Sequence, residues 1–427
     1  MRKLLSLALL LMSVTMASAQ SFDDHFVDKT LRLDYTFMGN SSEQMVALHG
    51  MSWTENWWGR RINLDNVPLK GNGDLTLYNI ENNEVIYKTS FSSLFQEWIT
   101  TEEAKHTTKS FEFTLLVPMP KHKIMAEVVL RDNTGKESRF QHHITPTDAL
   151  IHNNTAMHPL PYTYLHKGGD SKECIDVVIL AEGYTSEEME LFMEDAKITT
   201  KEILSYEPFK SHADKFNFIA VTNPSKDSNV STPQVGLWRE TAVSSHFHTF
   251  YMERYLTTSH IYDMFDIVTN IPCEHFIILA NTDTYGGGGI YNSYTLTTAH
   301  HRDFRPVVVH EFGHSFGGLG DEYFYDNGDG TDEMHSLKHE PWEPNITTLV
   351  DFDSKWADMI EEGIEIPTKV TEKRSKNYVV GAYEGGGYRS KGIYRPVDVC
   401  RMRNNTAERF CPVCERALER VILHQAK

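Results

Sequence analysis

Only five cysteines occur in 427 residues, and the count is odd. That is far too few for a disulfide scaffold, so the chain must hold itself together with hydrophobic cores, and at least one cysteine stays unpaired. Positive charge is also short: 41 Lys and Arg stand against 59 Asp and Glu, a formal charge of −18. A surface that acidic excludes nucleic acid and anionic membrane surfaces as partners. Beyond residue 19 no apolar run is long enough to span a bilayer, so no membrane insertion is expected. Internal repeats and low-complexity tracts are missing too, which removes solenoids and disordered tails. What is left is a globular composition, 40% hydrophobic and 23% charged, long enough for two domains.

Residues 1–19 stand apart. Arg2 and Lys3 precede the apolar run "LLSLALLLMSV", and "MASAQ" ends in an Ala-x-Ala pattern after Ala19. This reads as a secretory signal peptide, and its removal takes the two positive charges with it, leaving −20. The expected location is therefore exported: periplasm, cell surface or medium.

Residues 20–145 carry short alternating or β-branched runs, "TLRLDYTF", "DLTLYNI", "EVIYKTSF", "KSFEFTLLV" and "IMAEVVLRD", separated by Gly, Asn, Asp and Pro clusters. The pattern predicts an antiparallel β-sandwich. Trp53, Trp57, Trp58 and Trp98 lie in it; they read first as packing residues, with a sugar-binding face as the competing reading. Residues 146–172 have no sustained period and are expected to link this unit to the next.

From residue 173 to 427 strands alternate with helices. "CIDVVILAEGY", "KFNFIAVTN" and "CEHFIILAN" are continuous apolar runs, as in strands covered on both faces. A Thr185-x-x-Glu188 capping pattern opens the first helix, and "SHFHTFYMERYLTTSHIYDMFDIVTN" reads as helical. "TYGGGGIYNSYTLTT" is a Gly-rich turn leading into a strand that resembles a sheet edge. The order βαβαββα implies a mixed sheet with helices packed against it. Aligning the first and third apolar strands places Cys174 opposite Cys273, near enough for a disulfide if the two are parallel neighbours.

The chemistry is concentrated in "HEFGHSFGGLGDEY", His310 to Tyr323. The preceding "RDFRPVVV" predicts a helix with Asp303 as a cap and Pro306 in its first turn. Residues four apart share a helix face, so His310 and His314 converge on one point, with Glu311 beside them. This is the arrangement of zinc peptidases: two imidazole ligands and a carboxylate base. A catalytic zinc needs a third protein ligand and an open position. Gly320 has no side chain, so the candidates are Asp321 and Glu322, returned to the metal by the turn at Gly317, Gly318 and Gly320. Asp321 emerges first and is preferred.

Further on, "VDVCRMRNN" puts Met402 in a polar turn before a terminal helix, where "FCPVC" opens with Cys411 and Cys414. With Cys400 these two make a structural thiolate site short of one ligand; in an oxidising compartment a disulfide between two of the three is the favoured reading. The run "DEYFYDNGDGTDE" offers Asp326, Asp329, Asp332 and Glu333 as a candidate Ca2+ loop, though the spacing is not that of an EF-hand, and a solvated turn is the default.

Taken in order, "DVVILAEGYT", "HEFGHSFGGLGDEY", "YEGGGYRSKGIYRP", "CRMRNN" and "FCPVC" resemble the IgA-protease-type bacterial metallopeptidases, metzincin-like zinc endopeptidases. The likeness runs from about Asp176 to Leu423, and the sandwich before it is similar to the accessory domain often found in that family. It implies an α/β (α+β) zincin-like catalytic domain with a mixed sheet behind an all-β domain. It also implies a zinc site of His310, His314 and Asp321, with Glu311 as the catalytic acid/base and Met402 beneath the ligands. The expected substrate is a protein or peptide; immunoglobulin A as the substrate is not implied. The competing reading is a secreted glycan- or protein-binding protein carrying a degenerate zincin, against which the intact Glu311 argues. Tyr383, Tyr388 and Tyr394 flank the methionine turn, and the sequence does not choose among them as an oxyanion donor.

Overall fold

The computed structural model describes residues 21–325 and 334–427. The leader and the candidate calcium residues Asp326, Asp329, Asp332 and Glu333 lie outside the described residues.

The N-terminal unit is all-β, as the alternating runs predict, apart from the short helices α1 (Phe22–His25) and α2 (Leu94–Trp98). One sheet has the order β5-β1-β2-β8, from β1 (Phe26–Gly39), β2 (Gln44–Glu55), β5 (Lys109–Pro120) and β8 (His152–Asn153). The other is β4-β3-β6-β7, from β3 (Gly73–Asn79), β4 (Val85–Phe91), β6 (Ile124–Arg131) and β7 (Glu137–Ile144). Alternate residues such as Leu31, Leu33, Tyr35 and Phe37 point inward and form one core with Leu75, Leu77, Val128 and Leu130 from the facing sheet. Trp57 and Trp98 belong to that core, and Trp53 and Trp58 are part-covered, so none of the four stands free on the surface.

The second unit is built on a six-stranded mixed sheet in the order β13-β14-β12-β10-β11-β9. Its strands are β9 (Tyr162–Lys167), β10 (Ile175–Glu182), β11 (Phe216–Val221), β12 (His275–Ala280), β13 (Gly287–Ile290) and β14 (Tyr294–Thr298). Helix α3 (Met189–Ile203) follows the capping box at Thr185 and Glu188, α4 (Ile261–Ile267) lies between β11 and β12, and α5 (Phe304–Gly317) carries the paired histidines. Beyond α5 come α6 (Glu372–Lys376), the hairpin β15 (Tyr383–Gly386) and β16 (Arg389–Arg395), and α7 (Pro412–Gln425). Helix α5 packs Val308, Phe312 and Phe316 onto Ile277 and Leu279 of the sheet and Val413 and Leu418 of α7.

The linking segment 146–172 packs against both units by giving each a strand, β8 beside β2 and β9 antiparallel to β11. Several other expectations need correction. Of the stretch read as helical after Ser245, only α4 is α-helix; His248, Phe250 and Tyr251 have positive φ and break the winding. The edge of the sheet is the glycine run itself, β13; β14 is interior and parallel to β12. Strands β10 and β12 are parallel neighbours, but Val177 pairs with His275, a register one residue away from the one that would oppose Cys174 and Cys273. One residue of slip turns a side chain to the other face, and both thiols are free.

Candidate active site

Helix α5 begins at Phe304 with Asp303 in the capping position, although the Asp303 side chain makes no capping bond. It ends at Gly318, whose φ of 61° is left-handed, a conformation that only glycine adopts without strain. The chain then reverses, and Asn345 clamps the turn: its Oδ1 accepts from the Gly320 amide at 2.6 Å and its Nδ2 donates to the Gly320 carbonyl at 2.9 Å. Asp321 is thereby returned to the histidines. Its Oδ1 lies 3.0 Å from His310 Nε2 and 3.3 Å from His314 Nε2, and the two Nε2 atoms are 3.0 Å apart.

The tautomers follow from the other ring nitrogens. His310 Nδ1 is 3.0 Å from the Arg401 carbonyl, and His314 Nδ1 meets the Leu319 carbonyl. A carbonyl only accepts, so both Nδ1 atoms carry the proton and both Nε2 lone pairs face Asp321. Three acceptors thus converge with no donor of their own. Only a cation can sit comfortably there, either a metal or an added proton. Without metal the proton takes that role: burial opposes the charged imidazolium, but Asp321 outweighs it and carries His314 up to about 9. Burial likewise opposes ionised Asp321, and the two histidines overcome it and hold its carboxyl far below the usual range.

The surroundings complete the cleft. Met402 is fully buried beneath α5, its sulfur in the space a side chain at Gly313 would take. Tyr388 is the one of the three flanking tyrosines that reaches the site, donating its hydroxyl to Asp321 Oδ2, whereas Tyr383 donates to the Val379 carbonyl. Tyr388 has φ of 68°, a costly conformation for an aromatic residue, held by its N–H donating to the Tyr323 carbonyl at 3.0 Å. Glu311 lies against β13. A Cβ at Gly287 would come within 2.7 Å of Glu311 Oε1, and one at Gly289 within 2.3 Å of the Glu311 carbonyl oxygen. The glycine run therefore lets the edge strand approach the helix that bears the site. Gly289→Ala forces backbone against backbone, and we expect a loss of about 1–3 kcal/mol in chemical denaturation, with lower activity.

The cleft above these residues has a volume of about 1560 Å³ and is walled partly by the N-terminal unit, through Gln96, Glu97 and Thr100. The two units are tied beside it: Ser92 N–H donates to the Tyr291 carbonyl at 2.9 Å, and Tyr291 N–H donates to Ser92 Oγ at 2.9 Å. Sequence patterning gave no hint of Glu97. Burial raises its carboxyl to about 7, against the opposing hydrogen bond from Tyr255. The unfolded chain ionises this carboxyl first, so its penalty on stability is absent below pH 4.5, grows towards pH 7 and is complete above. Glu97→Gln should thus stabilise chelated protein at pH 8 by at most about 3 kcal/mol, read from chemical denaturation, and leave its stability unchanged at pH 4.

A family model described as IgA Peptidase M64 matches residues 163–379 and 370–422, and one described as Peptidase M64 N-terminus matches residues 21–141. The chain belongs to the M64 peptidase family. It is accordingly a peptidase, with protein or peptide as substrate, and the all-β unit is the N-terminal domain that accompanies the family's catalytic domain. No curated protein matches the chain. Among the described residues no helix is long and apolar enough to cross a membrane. Among the described residues two clusters have metal-ligating composition: His310, His314 and Asp321, and a separate, fully buried group of Glu322, Cys400, Cys411 and Cys414. The expected disulfide among Cys400, Cys411 and Cys414 is not formed; all three are free thiols.

Proposed function

We propose that this M64 peptidase is an exported, zinc-dependent metalloendopeptidase, with residues 1–19 as a removable leader and residues 173–427 as the catalytic domain. The observation that carries the reading is the meeting of two Nε2 lone pairs and one carboxylate oxygen within 3.3 Å. His310, His314 and Asp321 would hold the metal, a donor set that suits zinc and leaves a position open to the cleft. Zinc there would lower the pKa of a water to about 7 and polarise the scissile carbonyl. Glu311, on the cleft wall, takes the proton of the attacking water and delivers it to the leaving amine. Its withdrawal from water raises its basicity, which the two histidines only partly reverse. Strand β13 is the sheet edge beside Glu311, bridged by Tyr255 at Gly287, and the rest of its outer backbone is the part that an extended peptide would pair with. The cleft's volume of about 1560 Å³, beyond the roughly 300–1,000 Å³ usual for a small-molecule pocket, supports a polypeptide that runs through it.

The test is hydrolysis of an unstructured protein before and after chelation. Activity should vanish on chelation and return with zinc. Activity that survives complete metal removal would overturn the zinc dependence, and a protein inert both without and with zinc would leave the competing reading of a binding protein.

A further inference from the structure

Asp321 and Glu322 competed for the role of third ligand, and the fold sends them to opposite sides. Glu322 is fully buried, and one carboxylate oxygen, Oε2, has no hydrogen-bond partner. Oε1 accepts from Cys414 Sγ at 3.2 Å and from Asn345 Nδ2 at 3.0 Å, with Cys411 Sγ at 4.0 Å. Cys400 Sγ is 3.8 Å from Cys414 Sγ. The ligand atoms of all four residues lie within 4.8 Å of one another. Sulfurs bound to one tetrahedral zinc at about 2.3 Å are about 3.8 Å apart by simple geometry. Two further features would favour thiolate at these sulfurs once a metal is bound. Cys400 Sγ accepts from two backbone amides, Met402 N–H at 3.5 Å and Cys411 N–H at 3.3 Å. Cys411 and Cys414 sit at the N-cap and third position of α7, where the helix end favours negative sulfur.

We propose that Cys400, Cys411, Cys414 and Glu322 form a second, structural zinc site, with Glu322 as the ligand that the three cysteines alone lack. Four ligands close a tetrahedron and leave no position for substrate, which separates this site from the catalytic one. On binding, zinc displaces the proton of each ligand that still carries one, and no bond is oxidised or reduced. The place of the site gives its purpose. Glu322 follows Asp321 directly, and its amide donates to the Met402 carbonyl at 2.9 Å. Cys400 precedes Arg401, whose carbonyl orients His310. One ion would thus pin the third-ligand loop, the methionine turn and the start of α7 to each other, so that catalytic geometry is set by metal on both sides of the loop.

The experiment uses the full mature chain, prepared without chelator, as wild type, as His310→Ala/His314→Ala and as Cys411→Ser/Cys414→Ser. Metal per chain is measured, and cobalt(II) is then exchanged in so that its thiolate charge-transfer band can be read. We expect about two ions per chain in the wild type and about one in the histidine variant, which keeps the cobalt–thiolate band. The cysteine variant loses that band. Should it fail to fold, the wild type and the histidine variant still decide the matter. A histidine variant without metal and without the band, with Cys400, Cys411 and Cys414 all mapped as free thiols or with a Cys400–Cys414 disulfide, overturns the proposal. If instead the wild type and the histidine variant both hold about one ion with the thiolate band, the structural site stands and the catalytic zinc reading fails.

Discussion

Glu311→Gln lowers kcat/KM for peptide hydrolysis by about 10²–10⁴-fold, the contribution expected of a positioned general base, while metal content and Tm stay at wild-type values. The substitution keeps the shape of the side chain, which matters because Glu311 fills the space against Gly287 that no Cβ occupies. Glutamine in that space packs and hydrogen-bonds but has no affinity for a proton. The ligand atoms on the neighbouring histidines are fixed by the Arg401 and Leu319 carbonyls, not by Glu311, so the metal set is expected to survive. Steady-state kinetics beside metal analysis on one preparation separates loss of the base from loss of the ion. A variant with near-wild-type kcat would remove Glu311 from the chemistry and direct attention to Tyr388 or to a water-mediated base elsewhere in the cleft.

The histidines and Glu311 were legible because helical spacing is a local rule: four residues make about one turn, whatever the rest of the chain does. Which acid turns to the histidines was not legible to the same degree. Asp321 and Glu322 are adjacent acids after a glycine turn, and which one faces the histidines depends on how Asn345, a residue far along the chain, grips Gly320. The same distance hid Glu322 from the cysteines, which are brought to it only when α7 packs under α5. The edge strand β13 escaped notice for a different reason: glycines carry no hydrophobic period, and what makes them a strand is the close approach of α5. The helix expected after Ser245 failed where His248, Phe250 and Tyr251 turn left-handed, which an apolar spacing cannot reveal. By contrast, the sandwich and the continuous strands β10, β11 and β12 follow from alternation and its absence, and the sequence pattern was sufficient for both. Glu97 shows a further limit, since a carboxylate that enters the cleft from another domain has no motif of its own.

Asp321→Ala separates the two acids most sharply, and its effects on metal and on stability have different pH signatures. Asp321 Oδ1 touches both imidazoles, and Oδ2 takes the Tyr388 hydroxyl. Its removal leaves two ligands, too few for a catalytic zinc site. We expect zinc affinity, read by titrating activity back into chelated protein, to fall by more than the 10–100-fold typical of losing a supporting hydrogen-bond partner. Glu322→Gln, whose side chain is turned to the cysteines, keeps all three candidate catalytic ligands, so its loss should fall on the ion at the cysteine cluster and be smaller in that titration than the loss in Asp321→Ala. In the metal-free proteins the comparison shifts to His314, whose pKa is carried from 6.5 to about 9 by Asp321 in spite of burial. A raised imidazole pKa adds stability that is fully present below the unfolded value of 6.5 and is lost as pH rises through about 9. Metal-free Asp321→Ala should therefore be less stable than metal-free wild type at pH 6, with the gap narrowing towards pH 10. Denaturant midpoints across that range test it. A gap that stays constant with pH would mean that Asp321 acts through packing and Tyr388 alone, and a wild-type zinc titration would return the third-ligand role to Glu322.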